Sequence, residues 1–305
     1  MKYLSITHAA RYCCIVLSGL TIACNEPSKP AIVFQTDFGV KDGAVSAMKG
    51  VAQGVDDGIA LYDLTHEIPA YNIWEAAYRL NQTAVYWPKG TIFVSVVDPG
   101  VGTARKPVVV KTGSGHFIVS PDNGTLTLIA ESLGIEAVRE IDTLKNRRQG
   151  SEGSHTFHGR DIFAYTAARL ASGVIGYEDV GPELAKQVIR IPYQRAVLAG
   201  DSIKGNIPVL DIQYGNVWSN IPDTLLRRAG VAYGDTLDVV ISKNAEQVYS
   251  GRVPYVKTFG DVAEGAVLGY SNSLGNFSLA VNMGSFAERF KVASGAEWTV
   301  TCRVR

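Results

Sequence analysis

In the first part of the chain, short continuous apolar runs alternate with segments whose apolar positions recur at helical spacing. Ala31-Ile32-Val33-Phe34-Gln35-Thr36 reads as a buried strand closed by Asp37-Phe38-Gly39, and Ala44, Val45, Met48, Val51 and Ala52 follow with helical periodicity. A second strand near Ile59 to Leu64 ends at Thr65-His66-Glu67, ahead of a helix carrying Ile73, Ala76, Ala77 and Leu80. A third, Thr91 to Val97, ends at Asp98. Strands alternating with helices predict βαβ units, and hence a mainly parallel sheet covered by helices on both faces. Ligands of such sheets bind beyond the carboxyl ends of the strands, so Asp37, His66 and Asp98 are expected to converge on one crevice.

Val108-Val109-Val110 and Phe117-Ile118-Val119 read as an antiparallel hairpin, and Pro121-Asp122-Asn123-Gly124 as a turn opening a helix. Lys145 to Ser154 is polar and Gly-containing, which predicts a mobile loop. From His158 a helix with Ile162, Phe163, Ala167 and Leu170 on one side runs to Gly173. After about residue 192 helical periodicity gives way to short alternating runs, among them Val209 to Ile212, Thr236 to Ile241 and Phe277 to Val281. The expected organisation is an α/β domain over 31–192 and a smaller all-β barrel or sandwich over 193–305.

Composition changes this picture little in the body of the chain and more at its start. Lys plus Arg equals Asp plus Glu at 29 each, so no net field attracts a polyanion and no nucleic-acid partner is expected. Lys2 and Arg11 precede the apolar run Cys13 to Ala23, which has the form of a signal peptide over residues 1–23. Thr21-Ile22-Ala23-Cys24 resembles a lipoprotein cleavage box, with 24–30 as a polar tether. The expected location is therefore outside the cytoplasm, in a bacterial periplasm or anchored to a membrane through lipid on Cys24. A non-functional signal would leave the protein cytoplasmic. Removal of Cys13 and Cys14 and acylation of Cys24 would leave Cys302 alone, as a core residue of a terminal strand.

Candidate chemistry gathers where Thr156-Phe157-His158-Gly159-Arg160-Asp161 turns into a helix, and in Val97-Asp98-Pro99-Gly100-Val101-Gly102-Thr103-Ala104-Arg105. Asp98, Arg105 and His158 suit a water-activating set. The helix N-terminus biases His158 toward its neutral form, with a ring nitrogen free to accept a proton, while Arg105 stabilises a developing hydroxide. The same residue types also form structural ion-pair networks, and His155, His158, Asp161 and Asp98 have spacing permissive for a metal. Against the metal stand the absence of an HExxH motif or cysteine pair and the charge of Arg160 among the ligands. In the second domain, Asp211 to Trp218 combines a carboxylate, aromatics and an amide around Gly215, a set that can stack a purine or simply pack a turn.

Taken in order, Thr36-Asp37-Phe38-Gly39, Asp98-Pro99-Gly100-Val101-Gly102-Thr103, Pro121-Asp122-Asn123-Gly124, Phe157-His158-Gly159-Arg160-Asp161, Tyr214-Gly215-Asn216 and Asn282-Met283-Gly284-Ser285 resemble the S-adenosyl-L-methionine (SAM) hydroxide adenosyltransferases, relatives of the fluorinase and chlorinase. The resemblance spans about residues 31–304. It implies attack of a water-derived hydroxide on the ribose C5′ of SAM, giving adenosine and L-methionine, with no cofactor and no metal. It implies Asp98, Arg105 and His158 as catalytic residues. Asp37 would hold the ribose hydroxyls, and Tyr71 and Phe157 would line the sugar and adenine pocket. Asp211 and Ser273 would hold the methionine part, and Tyr214, Asn216 and Met283 the adenine. Where the halogenases carry a Tyr this chain has Asp98, and where the fluorinase has a halide-contacting Ser it has Gly159, which favours water as nucleophile. Two ligand-side arginines of the halogenases are Leu274 and Val281 here. A homotrimer with the ligand between adjacent subunits is implied as well. The competing readings are a metal-dependent phosphohydrolase on the same carboxylates and a non-catalytic nucleoside-binding lipoprotein.

Overall fold

The computed structural model describes residues 29–304. The expected signal and the Cys24 anchor lie outside the described residues. In chain order the first domain contains β1 (Ile32–Thr36), α1 (Ala44–Val55), β2 (Leu61–Thr65), α2 (Ile73–Ala84), β3 (Ile92–Val96), β4 (Pro107–Thr112), β5 (Phe117–Pro121), α3 (Thr127–Ser132) and β6 (Ile135–Glu140). A π-helical segment Gly159–Ala164 then runs into α4 (Tyr165–Ala171), and β7 (Glu183–Leu184) completes the sheet.

The seven strands lie in the order β2-β1-β3-β5-β4-β6-β7. They are parallel through β2-β1-β3-β5 and antiparallel beyond, because β4 and β5 form the hairpin legible in the sequence. Alternate side chains of the central strands feed opposite faces. Ile32, Phe34, Ile92 and Val94 pack against Met48 and Ala52 of α1 and against Ile162 to Ala171. Val33, Phe93, Val108 and Ile118 pack against Leu80 and Ala84 of α2, Leu126 at the start of α3 and Ile129 within it. Burial on both faces explains why β1 and β3 read as mostly apolar runs, with Gln35, Thr36 and Ser95 as buried polar members.

Two local findings differ from expectation. The helix after His158 opens as a π-helix. The Arg148 N–H takes the Asp161 carbonyl, which Tyr165 would occupy in an α-helix, and the Tyr165 N–H goes to Ile162 O instead. The 145–154 segment is therefore bonded to the helix rather than a loose cover. Asn146 is buried and donates to Val180 O at 2.9 Å, and Arg147 reaches the Ser151 and Ser154 carbonyls.

The second domain holds β8 (Val197–Ala199), β9 (Ser202–Ile207), β10 (Val209–Asp211), β11 (Asn216–Pro222), α5 (Asp223–Arg228), β12 (Thr236–Lys243), β13 (Glu246–Pro254), β14 (Val267–Ser271), β15 (Asn276–Val281), α6 (Phe286–Phe290) and β16 (Gly295–Val304). A four-stranded sheet β10-β11-β15-β14 faces a five-stranded sheet β13-β12-β16-β9-β8. Ile203, Leu237 and Val239 from one sheet share a core with Val217, Phe277 and Leu279 from the other, so the architecture is a sandwich. Cys302 is buried in that core, and burial pushes its thiol up, away from nucleophilic character. Trp74 Nε1 and Arg79 Nη2, on α2, donate to Pro208 O and Leu210 O and so tie the sandwich to the first domain.

Candidate active site

Asp98 leaves β3 at its carboxyl end, and the turn through Gly100 and Gly102 brings Arg105 back against it. The Arg105 guanidinium forks onto the Asp98 carboxylate, Nε to Oδ1 at 2.9 Å and Nη2 to Oδ2. The same Nη2 lies 3.1 Å from His158 Nδ1, and the guanidinium stands 5.2 Å from the centre of the Phe163 ring. An arginine only donates, so Nδ1 accepts and the ring hydrogen sits on Nε2. That reverses one expectation: His158 offers a donor, not a free proton acceptor. Burial, together with the charges of Arg105 and Arg147, holds the ring below its ordinary value of 6.5, which keeps it neutral at physiological pH.

Asp98 and His158 line a cavity of about 240 Å³ with Asp37, Phe38, Ala70, Tyr71, Val96, Val101, Thr156 and Gly159. Arg105 is not on its wall and acts from behind. Asp37 accepts the Tyr71 N–H through Oδ2 at 2.9 Å, leaving Oδ1 for a ligand. Tyr71 is exposed and left-handed at φ 68°, a conformation that is strained for a bulky residue. Phe157 is half-buried behind the cavity, its ring between the edge of Phe38 and the Arg160 guanidinium, with centroid distances of 6.0 and 4.7 Å. Space at Gly159 is tight: a Cβ there would stand 3.2 Å from the Phe38 ring and 3.4 Å from Met48 Sδ, so these side chains would have to give by a few tenths of an ångström. The expected convergence holds for Asp37 and Asp98. His66 is not on the wall; it is buried between Thr36 and Asp63.

The candidate metal set is not brought together. Asp161 is fully buried in a two-bond contact with Arg160, and among the described residues no group of three or more His, Cys, Asp or Glu is placed to hold an ion.

The sandwich carries a second cavity, about 1010 Å³, whose wall includes Asp211, Tyr214, Asn216, Ser273 and Met283. Asn216 donates to Asp211 Oδ2 at 3.1 Å, and Gly215 (φ 66°) makes the turn between them. Val281 is on this wall, whereas Leu274 packs with Tyr78, Val209 and Trp218 between the domains. Phe259 and Tyr270 also line the cavity and were not singled out in the sequence, and Ser285, placed there only as the end of the Asn282-Met283-Gly284-Ser285 motif, lines it too. For Ser285 a signal existed: Ser285-Phe286-Ala287-Glu288 is a helix start, and its hydroxyl accepts the Glu288 N–H.

The sequence matches two family models, described as the SAM hydroxide adenosyltransferase N-terminal domain over residues 32–181 and C-terminal domain over residues 205–299. An (R)-S-adenosyl-L-methionine hydrolase of Salinispora tropica is 36% identical over 274 residues, covering 89% of this chain and 98% of the relative. The chain belongs to the SAM hydroxide adenosyltransferase family.

Another family relative, an (R)-S-adenosyl-L-methionine hydrolase of Thermus thermophilus, is 35% identical over 87% of this chain and 96% of its own. A fluorinase of Actinopolyspora mzabensis is 28% identical over 90% and 98%. A solved structure described as an uncharacterized conserved protein from Thermotoga maritima superposes with a TM-score of 0.83 at 34% identity, covering 89% of this chain and all of that one. The fold described above, helices on a mixed sheet followed by antiparallel sheets, is thus the family's two-part arrangement.

Proposed function

We propose that this protein hydrolyses SAM to adenosine and L-methionine. The observation that carries the reading is the Asp98–Arg105–His158 contact on the wall of the smaller cavity, in a chain whose relatives are named as SAM hydrolases. A water held at Asp98 and His158 Nε2–H attacks C5′. The new C5′–O bond forms as C5′–S breaks, the electron pair stays on sulfur and neutralises the sulfonium, and the water proton passes to Asp98 and then to solvent. Methionine leaves as a neutral thioether, so no acid is needed for it. Arg105 holds both partners in register and balances the carboxylate charge. Asp37 holds the ribose, with Tyr71 at the sugar and Phe157 supporting the wall from behind. Asp211 and Ser273 take the amino-acid part, and Tyr214, Asn216 and Met283 take the purine. No cofactor enters this scheme.

The test is adenosine release from SAM by the purified chain in excess chelator, with each sulfonium epimer supplied separately. Adenosine no greater than from an Asp98→Ala control would overturn the reading, and chelator-sensitive phosphate release from a phosphomonoester by the same protein would favour the metal-dependent phosphohydrolase. The names of the relatives support the (R) epimer as the faster one. Because His158 must be neutral to accept from Arg105, and burial with the charges of Arg105 and Arg147 lowers its pKa, the acid limb of turnover is expected to have its midpoint below 6.5. A pH–rate profile with an acid midpoint above 6.5 would contradict this role for His158.

We also propose a homotrimer. The two cavities share no residue, and Tyr71, Tyr214 and Met283 stand exposed at them, which supports closure of each site by a neighbouring copy. Mixing Asp98→Ala with Asn216→Ala subunits, each inactive alone, is expected to restore turnover after reassociation. Export with lipid on Cys24 belongs to the same proposal and rests on sequence pattern. Partition of the full chain into detergent, lost in Cys24→Ser, checks it.

A further inference from the structure

β1 and β2 end side by side, and the residues at that junction form a hydrogen-bonded line for which the reaction above has no use. Lys49 Nζ lies 2.6 Å from Asp63 Oδ2, Asp63 Oδ1 lies 2.9 Å from His66 Nε2, and His66 Nδ1 lies 2.8 Å from Thr36 Oγ1. The Phe38 N–H donates to Thr36 Oγ1 at 3.2 Å. One direction gives every atom a complementary partner: Phe38 N–H to the hydroxyl, Thr36 O–H to Nδ1, and Nε2–H to the carboxylate. The set has the composition of a nucleophilic triad. Thr36, however, is 0% exposed, so no substrate atom reaches its oxygen.

What the line does touch is the turn that carries Asp37. The His66 carbonyl accepts the Gly39 N–H at 2.8 Å, so His66 grips Phe38 through its ring and Thr36, and Gly39 through its backbone. Asp37 precedes this doubly held pair, with one carboxylate oxygen fixed by the Tyr71 N–H, and the residue lines the cavity. Thr36 and His66 are buried and satisfied within this line, while Asp63 and Lys49 anchor it at the surface; a buried, fully satisfied pair fixes geometry more strongly than separate bonds do.

We propose that His66 is a positioning residue: acting through Thr36, it aims Asp37 at its ligand. The identity of that ligand as a ribose diol rests on the SAM reading; the hold on the turn does not. In Thr36→Val, and separately in His66→Asn, hydrogen exchange at the Phe38 and Gly39 amides is expected to rise about tenfold while the rest of the first domain is unchanged. KM for SAM should rise about tenfold with kcat within about threefold, and Thr36→Ser should restore both. Combined with Asp37→Ala, Thr36→Val should add nothing further to KM. Unchanged exchange at those amides would overturn the proposal whatever the substrate. So would a loss confined to kcat, or an undiminished effect without Asp37. Normal exchange effects in a chain that does not turn over SAM would instead retain the positioning role and remove the SAM reading.

Discussion

Replacing Arg105 by Lys is expected to lower SAM turnover by about 10³-fold while leaving KM and adenosine affinity within about threefold. The guanidinium is a planar fork that meets both oxygens of Asp98 and still reaches His158 Nδ1 with the same nitrogen. A lysine ammonium is a single point on a flexible stem and cannot span both oxygens and the imidazole. The Phe163 ring, 5.2 Å from the guanidinium centre, loses its flat partner as well. Asp98 and His158 would then each be free to turn, and a misplaced water costs rate without costing binding. Arg105 is off the cavity wall, so ground-state contacts with substrate are not at stake. Steady-state adenosine release, with calorimetry against adenosine, separates the two. A rise in KM at preserved kcat would assign Arg105 to substrate binding and refute this account.

The split between what the sequence predicted and what it concealed follows the range of the interactions. β1 and β3 are buried on both faces, so their hydrophobic runs announce them, and the β4–β5 hairpin carries its own glycine turn. Among the strands not picked out, β9 and β11 lack such a pattern for physical reasons. Asn206 of β9 is buried because its amide donates to Gly295 O and Trp298 O, and β11 starts inside a ligand-side turn and ends at Pro222. The π-helix depends on Arg148 reaching Asp161 O from outside the helix, which no local pattern reports.

The same distinction holds at the candidate site. Strand ends located Asp37 and Asp98 without any comparison, since the topology of a parallel sheet puts them at one edge. The Arg105–His158 contact joins residues 53 apart; residue types pointed to the set, a structural ion-pair network fitted them as well, and the family resemblance weighted it toward chemistry. The tautomer was not legible at all. Only the direction from which Arg105 approaches Nδ1 decides whether the ring accepts or donates a proton, and a sequence does not carry that direction. His66 was legible only as another strand-end residue, because its partners Thr36 and Asp63 are ordinary strand residues until folding aligns them.

Gly215→Ala is expected to lower the melting temperature by roughly 5–10 °C and to weaken adenosine binding more than tenfold. Gly215 sits at φ 66°, where any Cβ costs about 1 kcal/mol. Its Cβ would fall 2.0 Å from Ser285 Oγ, 2.7 Å from Ser285 Cβ and 3.2 Å from Ser285 Cα, so rotating the serine side chain does not relieve the overlap. Moving Ser285 breaks the bond from the Glu288 N–H that starts α6, worth about 1 kcal/mol, and disturbs the Ala287 N–H to Gly215 O bond at 2.9 Å. Both segments line the larger cavity, so the damage reaches Tyr214, Asn216 and Met283 together. Gly230→Ala is the control: Gly230 is left-handed at φ 81° with nothing within 4 Å of its Cβ, so it bears the backbone cost alone. Thermal unfolding and adenosine calorimetry on both variants isolate the contact with Ser285. Equal melting temperatures for the two would mean the turn gives way freely, and wild-type adenosine affinity in Gly215→Ala would remove this cavity from the purine-binding role assigned to it.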